Sequence, residues 1–150
     1  MAVIVGVDGS EHARAALVWA IEEARLRDDT LVAAYVYTSP SLLYPAEVIP
    51  TASAERLGER TRKAARDELD GILSTVRQAS ADVRIVAKTI EDPQPAYALT
   101  DLATEDDLLV VGSRGRGGFR GLLLGSVSQQ CLQHAPCPVT VVPAALAQQG

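Results

Sequence analysis

The sequence predicts a doubly wound α/β domain: a single five-stranded parallel sheet with helices on both faces. Three observations carry this. Short apolar, β-branched runs recur at 2–7, 31–37, 83–88, 108–111 and 138–142. Segments with helical periodicity separate them, as a crossover-linked parallel sheet requires. A glycine-rich segment, 112–126, then stands between the fourth strand and the last helix, at the kind of strand–loop–helix junction that receives anions. No internal repeat or linker breaks the pattern, so residues 1–150 read as one domain.

Residues 2–7 form a buried strand, and Asp8-Gly9-Ser10 follows at its carboxyl end. Ser10 suits a helix N-cap, with Glu11 in the first turn to complement the dipole. Ala13, Ala16, Leu17, Ala20, Ile21 and Ala24 recur at helical spacing, which predicts an amphipathic helix over 11–26. The second strand is 31–37. Segment 39–51 holds Pro40, Pro45 and Pro50 with little periodicity, and it reads as a long loop, either a lid or a connector.

A long helix over 52–78 follows, with Leu57, Ala64, Ala65, Leu69, Ile72, Leu73 and Val76 as its apolar stripe. Residues 83–88 alternate as a third strand. Pro93 and Pro95 mark the turn into a helix over 96–104, with Ala98, Leu99, Leu102 and Ala103 inward. The fourth strand, 108–111, runs into the glycine segment. A helix over 126–134 and a fifth strand over 138–142 complete the domain, and the tail 144–150 reads as frayed.

Six of the eleven glycines fall in 112–126, together with Arg114, Arg116 and Arg120 and no acid. Glycine lets backbone N–H groups approach a ligand closely. A helix start adds unpaired N–H groups and a positive dipole end. Arginine adds charge-assisted donors. Together these suit a phosphate chain, against the plainer reading of a surface connector with solubilising arginines. The segment is not a P-loop, because no Lys-Ser/Thr pair stands in the required place. Arg120 stands where the dinucleotide fingerprint would need its third glycine.

In doubly wound sheets the ligand binds beyond the carboxyl ends of the strands, where the winding reverses. With the order 3-2-1-4-5 the reversal falls between strands one and four, and Asp8 and Gly112 meet there. The sequence itself leaves that order open.

The net charge of −5 argues against general nucleic-acid or anionic-membrane binding. No apolar run approaches the ~20 residues of a membrane span. The first residues lack the basic start of a signal peptide, so a cytoplasmic protein is expected. Cys131 and Cys137 are the only cysteines, and with His12 and His134 they do not make a metal-site spacing. Free structural thiols and no metal ligands are expected.

Gly112-x-x-Gly115, nine residues, then Gly125-Ser126 resembles the nucleotide-binding signature of the universal stress protein family. The runs Val-Val-Gly-Ser-Arg-Gly-Arg-Gly-Gly, Leu-Leu-Gly-Ser-Val-Ser and His134-Ala135-Pro136-Cys137-Pro138-Val139 resemble the same family. The likeness covers nearly the whole chain and is weakest in 39–60. It implies the strand order 3-2-1-4-5, a regulatory role in the stress response, and bound ATP, with or without Mg²⁺. By position it implies contacts from Val7, Asp8, Val36, Val111, Gly112, Ser113, Arg114, Gly115, Gly125, Ser126 and Val127. A carboxylate at Asp8 suits ribose hydroxyls or a metal; as the plainer reading it is a turn-capping residue. Ser126 reads as a ligand contact, an N-cap or both.

One departure stands out: Pro93-Gln94-Pro95 stands where the family resembled usually has Gly-x-Pro, before the third helix, over 96–104. Proline fixes φ near −65°, so that turn is expected to run differently. No catalytic residue is assigned. Binding without efficient turnover is the first expectation, because Asp8 is the one acid read at a strand's carboxyl end. The alternatives are a slow ATP hydrolase or autokinase and a ligand-free dimeric interaction module. The fifth strand is apolar and uncharged, an edge that invites pairing, so a homodimer through 138–142 is expected.

Overall fold

The computed structural model describes residues 1–45, 47–114 and 124–145. Five parallel strands form one sheet in the order β3-β2-β1-β4-β5. They are β1 (Ala2–Val7), β2 (Thr30–Tyr37), β3 (Ile85–Glu91), β4 (Leu108–Gly112) and β5 (Val139–Val142). The helices are α1 (Glu11–Arg27), α2 (Pro40–Leu43), α3 (Thr51–Ser74), α4 (Pro95–Leu102) and α5 (Ser126–His134).

The central strands explain the arrangement. Val3, Val5, Leu109 and Val110 are fully buried, as strands covered on both faces must be. One face of the sheet meets α1 and α3 through Val5, Val7, Ala16, Leu17, Ala20, Leu31 and Leu69. The other meets α4 and α5 through Ile4, Ala34, Leu99, Leu109, Val111 and Cys131. Alanines at 13, 16, 20 and 24 give α1 a thin inner face, so the helix lies close to the sheet. Ser10 caps α1 as its sequence suggests, its Oγ accepting from the Ala13 amide at 3.2 Å.

Several boundaries differ from the sequence reading, among them the end of α4, at Leu102 rather than 104. Segment 39–51 is not a plain loop: Pro40 occupies the first turn of the short helix α2. A proline there loses no helical hydrogen bond, so it starts a helix as readily as it breaks one. Strand β3 lies at 85–91 rather than 83–88, because the Val83 amide donates to Ser80 C=O and closes the turn after α3. Helix α3 ends at Ser74, short of 78. The Pro93-Gln94-Pro95 turn is held by Asp92, whose Oδ1 accepts from the Gln94 amide at 2.7 Å, and α4 begins on Pro95. Of the tail, residues 146–150 lie outside the described residues.

Candidate functional site

The winding reverses between β1 and β4, and these strands pair in parallel with Val3 opposite Leu108 and Val5 opposite Val110. Continued by two and three residues, this register sets Val7 level with Gly112 and Asp8 level with Ser113. The two chain segments then part toward opposite faces, β1 into α1 and β4 toward α5, which opens a crevice at the carboxyl edge.

On the β1 side, Asp8 Oδ1 accepts from the Ser10 amide at 2.9 Å, so the carboxylate shapes the turn into α1. Gly9 carries φ 82° and is the one described glycine in the left-handed region, where a side chain is strained. On the β4 side, Gly112 is glycine for a packing reason: an added Cβ would lie 2.6 Å from the His12 carbonyl carbon. His12 Nδ1 and the Ser113 hydroxyl stand 2.8 Å apart, with the donor set by the imidazole tautomer.

Ser113 and Gly125 close the base of the glycine segment. The Gly125 amide donates to the Ser113 C=O at 2.7 Å, and the Ser113 amide donates to the Val142 C=O at 2.9 Å. The single Ser128 Oγ–H is shared between the Ser113 C=O at 3.2 Å and the Gly125 C=O at 3.0 Å. Gly125 is the N-cap of α5 and supplies no side-chain acceptor to its first turn, whereas Ser10 does so for α1. Of the two helix starts at the crevice, α5 therefore presents the stronger anion-facing end. Gly125 has φ −72° and ψ 167°, extended backbone that any residue adopts, so a positive φ is not why glycine stands there. Arg114 is half-buried beside Ser113; Gly115, Arg116 and Arg120 lie outside the described residues.

Val36 is the penultimate residue of β2, in register with Ile90 of β3. The Leu31 amide and the Tyr37 C=O bond toward β3, to Arg84 C=O and the Asp92 amide. Alternation turns the backbone polar groups of Val36 the other way, toward β1, whose last residue is Val7. The side chains of Val36, Val111 and Val127 gather on the α4–α5 face, while Val7 faces α1 and α3. The structure thus brings the described members of the predicted set to one edge, on either side of the β1–β4 gap.

Sequence reasoning missed three features. His12 was considered only as a metal ligand, yet it bridges the two sides; no local pattern reveals a contact between residues 101 apart. Glu91 and Asp92 stand at the carboxyl end of β3, overlooked because that strand was ended at Lys88. Glu91 accepts from the Ser39 hydroxyl, and Asp92 shapes the turn at Gln94. A recess of about 160 Å³ also opens between α1 and α3, lined by Val7, Gly9, Ser10, Ala13, Arg14, Ile72 and Thr75. It lies on the face away from α5 and shares only the Asp8-side wall with the crevice.

Asp106 and Asp107 precede β4 at the opposite edge. Asp107 Oδ1 accepts from the Ala2 amide at 2.8 Å, and Oδ2 accepts from the Thr104 amide at 2.8 Å and hydroxyl at 2.9 Å. Burial pushes this carboxyl up, but the Thr104 and Ala2 hydrogen bonds outweigh it and its pKa is lowered. Cys131 is buried and Cys137 half-buried, both free thiols. Burial, with a smaller contribution from Cys137, pushes the Cys131 thiol up to about 11; burial also raises Cys137.

A parallel sheet with a reversal, a carboxylate-shaped turn on one side and a glycine-led helix start on the other defines a doubly wound α/β domain. Its relatives make the class specific. Residues 1–143 match the sequence profile of the Universal stress protein family, and the chain belongs to that family. A universal stress protein of Mycolicibacterium smegmatis is 39% identical over 140 residues, covering 93% of this chain and 45% of that protein. The chain thus spans about half the length of the curated relatives it matches. Universal stress protein UspA from Lactobacillus plantarum superposes with a TM-score of 0.71 at 24% identity, over 95% of this chain and 97% of that one. A universal stress protein in complex with cAMP superposes with a TM-score of 0.66 at 26% identity, over 96% and 97%. One from Archaeoglobus fulgidus in complex with dAMP gives 0.60 at 21%, over 95% and 97%. Among the described residues no helix is long and apolar enough to cross a membrane.

Proposed function

We propose that this chain binds adenine nucleotides, ATP foremost, in the crevice between the Asp8 turn and the Gly112–Ser126 segment. In this reading it acts as a regulatory protein of the stress response. The observation that carries the reading is the meeting, at the strand-order reversal, of the Asp8 turn with the α5 start that has no side-chain cap. Universal stress proteins of the same fold in complex with cAMP and with dAMP support an adenine nucleotide as the ligand.

The assignment of roles follows from chemistry. Asp8 carries an acceptor-only carboxylate at this turn, the group that suits ribose hydroxyls. Val36 offers its backbone C=O to the base, its N–H being spent on Val7 in the β1–β2 ladder, with Val111 and Val127 as apolar neighbours. Gly112, Gly115, Gly125, Ser126 and the α5 amides surround the phosphates, Arg114 adds charge, and Val7 and Ser113 support the walls. Among the described residues no group of three His, Cys, Asp or Glu is placed to hold a metal. Mg²⁺ would accordingly ride on the phosphates with Asp8 as its single protein carboxylate, a common mode for this ion. Glu91 and Asp92, also at a strand's carboxyl end, are engaged with Ser39 and the Gln94 turn, so Asp8 is the acid this reading sets at the phosphates, and binding without efficient turnover is favoured. We further place the protein in the cytoplasm as a homodimer.

Calorimetric titration of ATP and AMP into the purified protein and into Asp8→Ala tests the reading. Asp8→Ala is expected to weaken both ligands if the carboxylate serves the ribose, and ATP selectively if it serves a metal. Absence of heat with either ligand in protein first stripped of carried nucleotide would sink the proposal.

A further inference from the structure

His12 stands where the two sides of the crevice touch. Its backbone closes on Gly112 so tightly that no Cβ fits between them. Its ring Nδ1 reaches the Ser113 hydroxyl at 2.8 Å. His12 is also two residues beyond Ser10, whose amide is tied to Asp8. The polar groups of Ser113 are committed within the protein. Its amide reaches β5 at Val142, its carbonyl receives Gly125 and Ser128 of α5 and its cap, and its hydroxyl meets α1. Ser113 is 9% exposed, so water competes little for these bonds. Three elements therefore converge on this residue just past β4, and Gly125 returns beside it.

We infer that His12 is a positioning residue for this segment: by holding the Ser113 hydroxyl it fixes the base of the phosphate-binding loop relative to the Asp8 turn. The inference rests on the nucleotide reading above and deepens it. Both arms of the crevice must hold one ligand, and arms set in advance lose less freedom when it binds. Gly112 supplies close approach but no direction. The Nδ1–Oγ hydrogen bond supplies direction, because its strength falls steeply with angle. A residue that merely filled space there would not need a nitrogen at that point.

The test uses the full chain and three variants. In His12→Asn the amide oxygen lies the same number of bonds from Cα as Nδ1 and can meet Ser113 Oγ; in His12→Ala nothing can. Loss of one hydrogen bond that orders the site is expected to weaken ATP about five- to tenfold in His12→Ala, with affinity returning to within about twofold in His12→Asn. Ser113→Ala should match His12→Ala, and the double variant should add little, since the two groups act as one unit. A second readout needs no ligand: the amide resonances of Gly125 and Ser126 should shift in His12→Ala and return toward wild type in His12→Asn. Wild-type ATP affinity in His12→Ala with unmoved resonances would overturn the inference. So would a loss that follows melting temperature alone and is not restored by His12→Asn. If the wild type bound no adenine nucleotide, the nucleotide reading would fall, and the amide shifts would still decide whether His12 positions the loop.

Discussion

At Gly112 an added Cβ would meet the His12 backbone carbonyl carbon at 2.6 Å and oxygen at 2.7 Å, and backbone cannot rotate away as a flexible side chain can. At Gly125 the backbone is already extended and suits any residue. The two glycines bracketing the segment should thus fail differently. Gly112→Ala is expected to destabilise by about 1–3 kcal/mol, as overpacking does, and to lower the melting temperature by several degrees. Gly125→Val should lower melting less than Gly112→Ala, by the cost of a poorer N-cap, and weaken ATP, because its Cβ intrudes where phosphates approach. Calorimetry beside thermal melts distinguishes them; equal loss of stability in both variants would defeat this division of roles. Cys131 belongs to the same scale. Its raised thiol favours the neutral form in the folded state, so its contribution to stability is complete below the ordinary value of 9.0 and is lost as pH climbs toward about 11. Melting temperature should therefore fall over that window more steeply in wild type than in Cys131→Ala. Parallel slopes would remove the assignment.

Among the elements, the two edges of the sheet do separate work. The amino edge is tied by Asp107, which joins the start of β1 at Ala2 to the turn before β4 at Thr104. Because the hydrogen-bonded carboxylate has a lowered pKa, its stabilisation is present above the ordinary value of 3.8 and lost as pH falls below it. Asp107→Asn is expected to lower stability by about 1–2 kcal/mol and flatten this acid limb, while ATP affinity stays as in wild type; a weakened affinity would show that the edges are coupled. This division was partly legible in the sequence. Apolar β-branched runs, one alternating segment and period-3.6 patterns located every strand and the four longer helices, because burial on defined faces writes itself into residue order. Ser10-Glu11 marked the start of α1 correctly. The β3 boundary slipped because Val83 and Ile85 are both apolar and only the Ser80 turn separates them. Helix α2 was hidden by Pro40, read as a breaker where it acts as a starter. Gly112 and Ser113 were visible as members of a motif, but their partner His12 was not, since nothing local encodes a contact across 101 positions.

For the molecule as a whole, the open question of assembly lies at β5. The chain covers about 45% of its Mycolicibacterium smegmatis relative, which is long enough to hold a second domain of this size. Two copies of the present chain would supply the same mass without a covalent link. Strand β5 is the outermost strand, pairs only with β4 among the described residues, and reads Val-Thr-Val-Val with no charge. Its ladder fixes which groups face outward. Pro138 C=O accepts from the Leu109 amide and Val142 C=O from the Ser113 amide, so the even-numbered residues point to β4. By alternation the backbone groups of Val139 and Val141 point away from the sheet, where a second strand would pair with them. Val141→Pro removes one outward N–H and adds a ring that blocks pairing, yet breaks no bond to β4; proline is tolerated at such an edge position. Light scattering at micromolar concentration should give twice the 15.9 kDa chain mass for wild type and the single chain mass for Val141→Pro, both folded by circular dichroism. A wild-type monomer would dismiss the dimer, and a dimer persisting in folded Val141→Pro would move the interface away from β5.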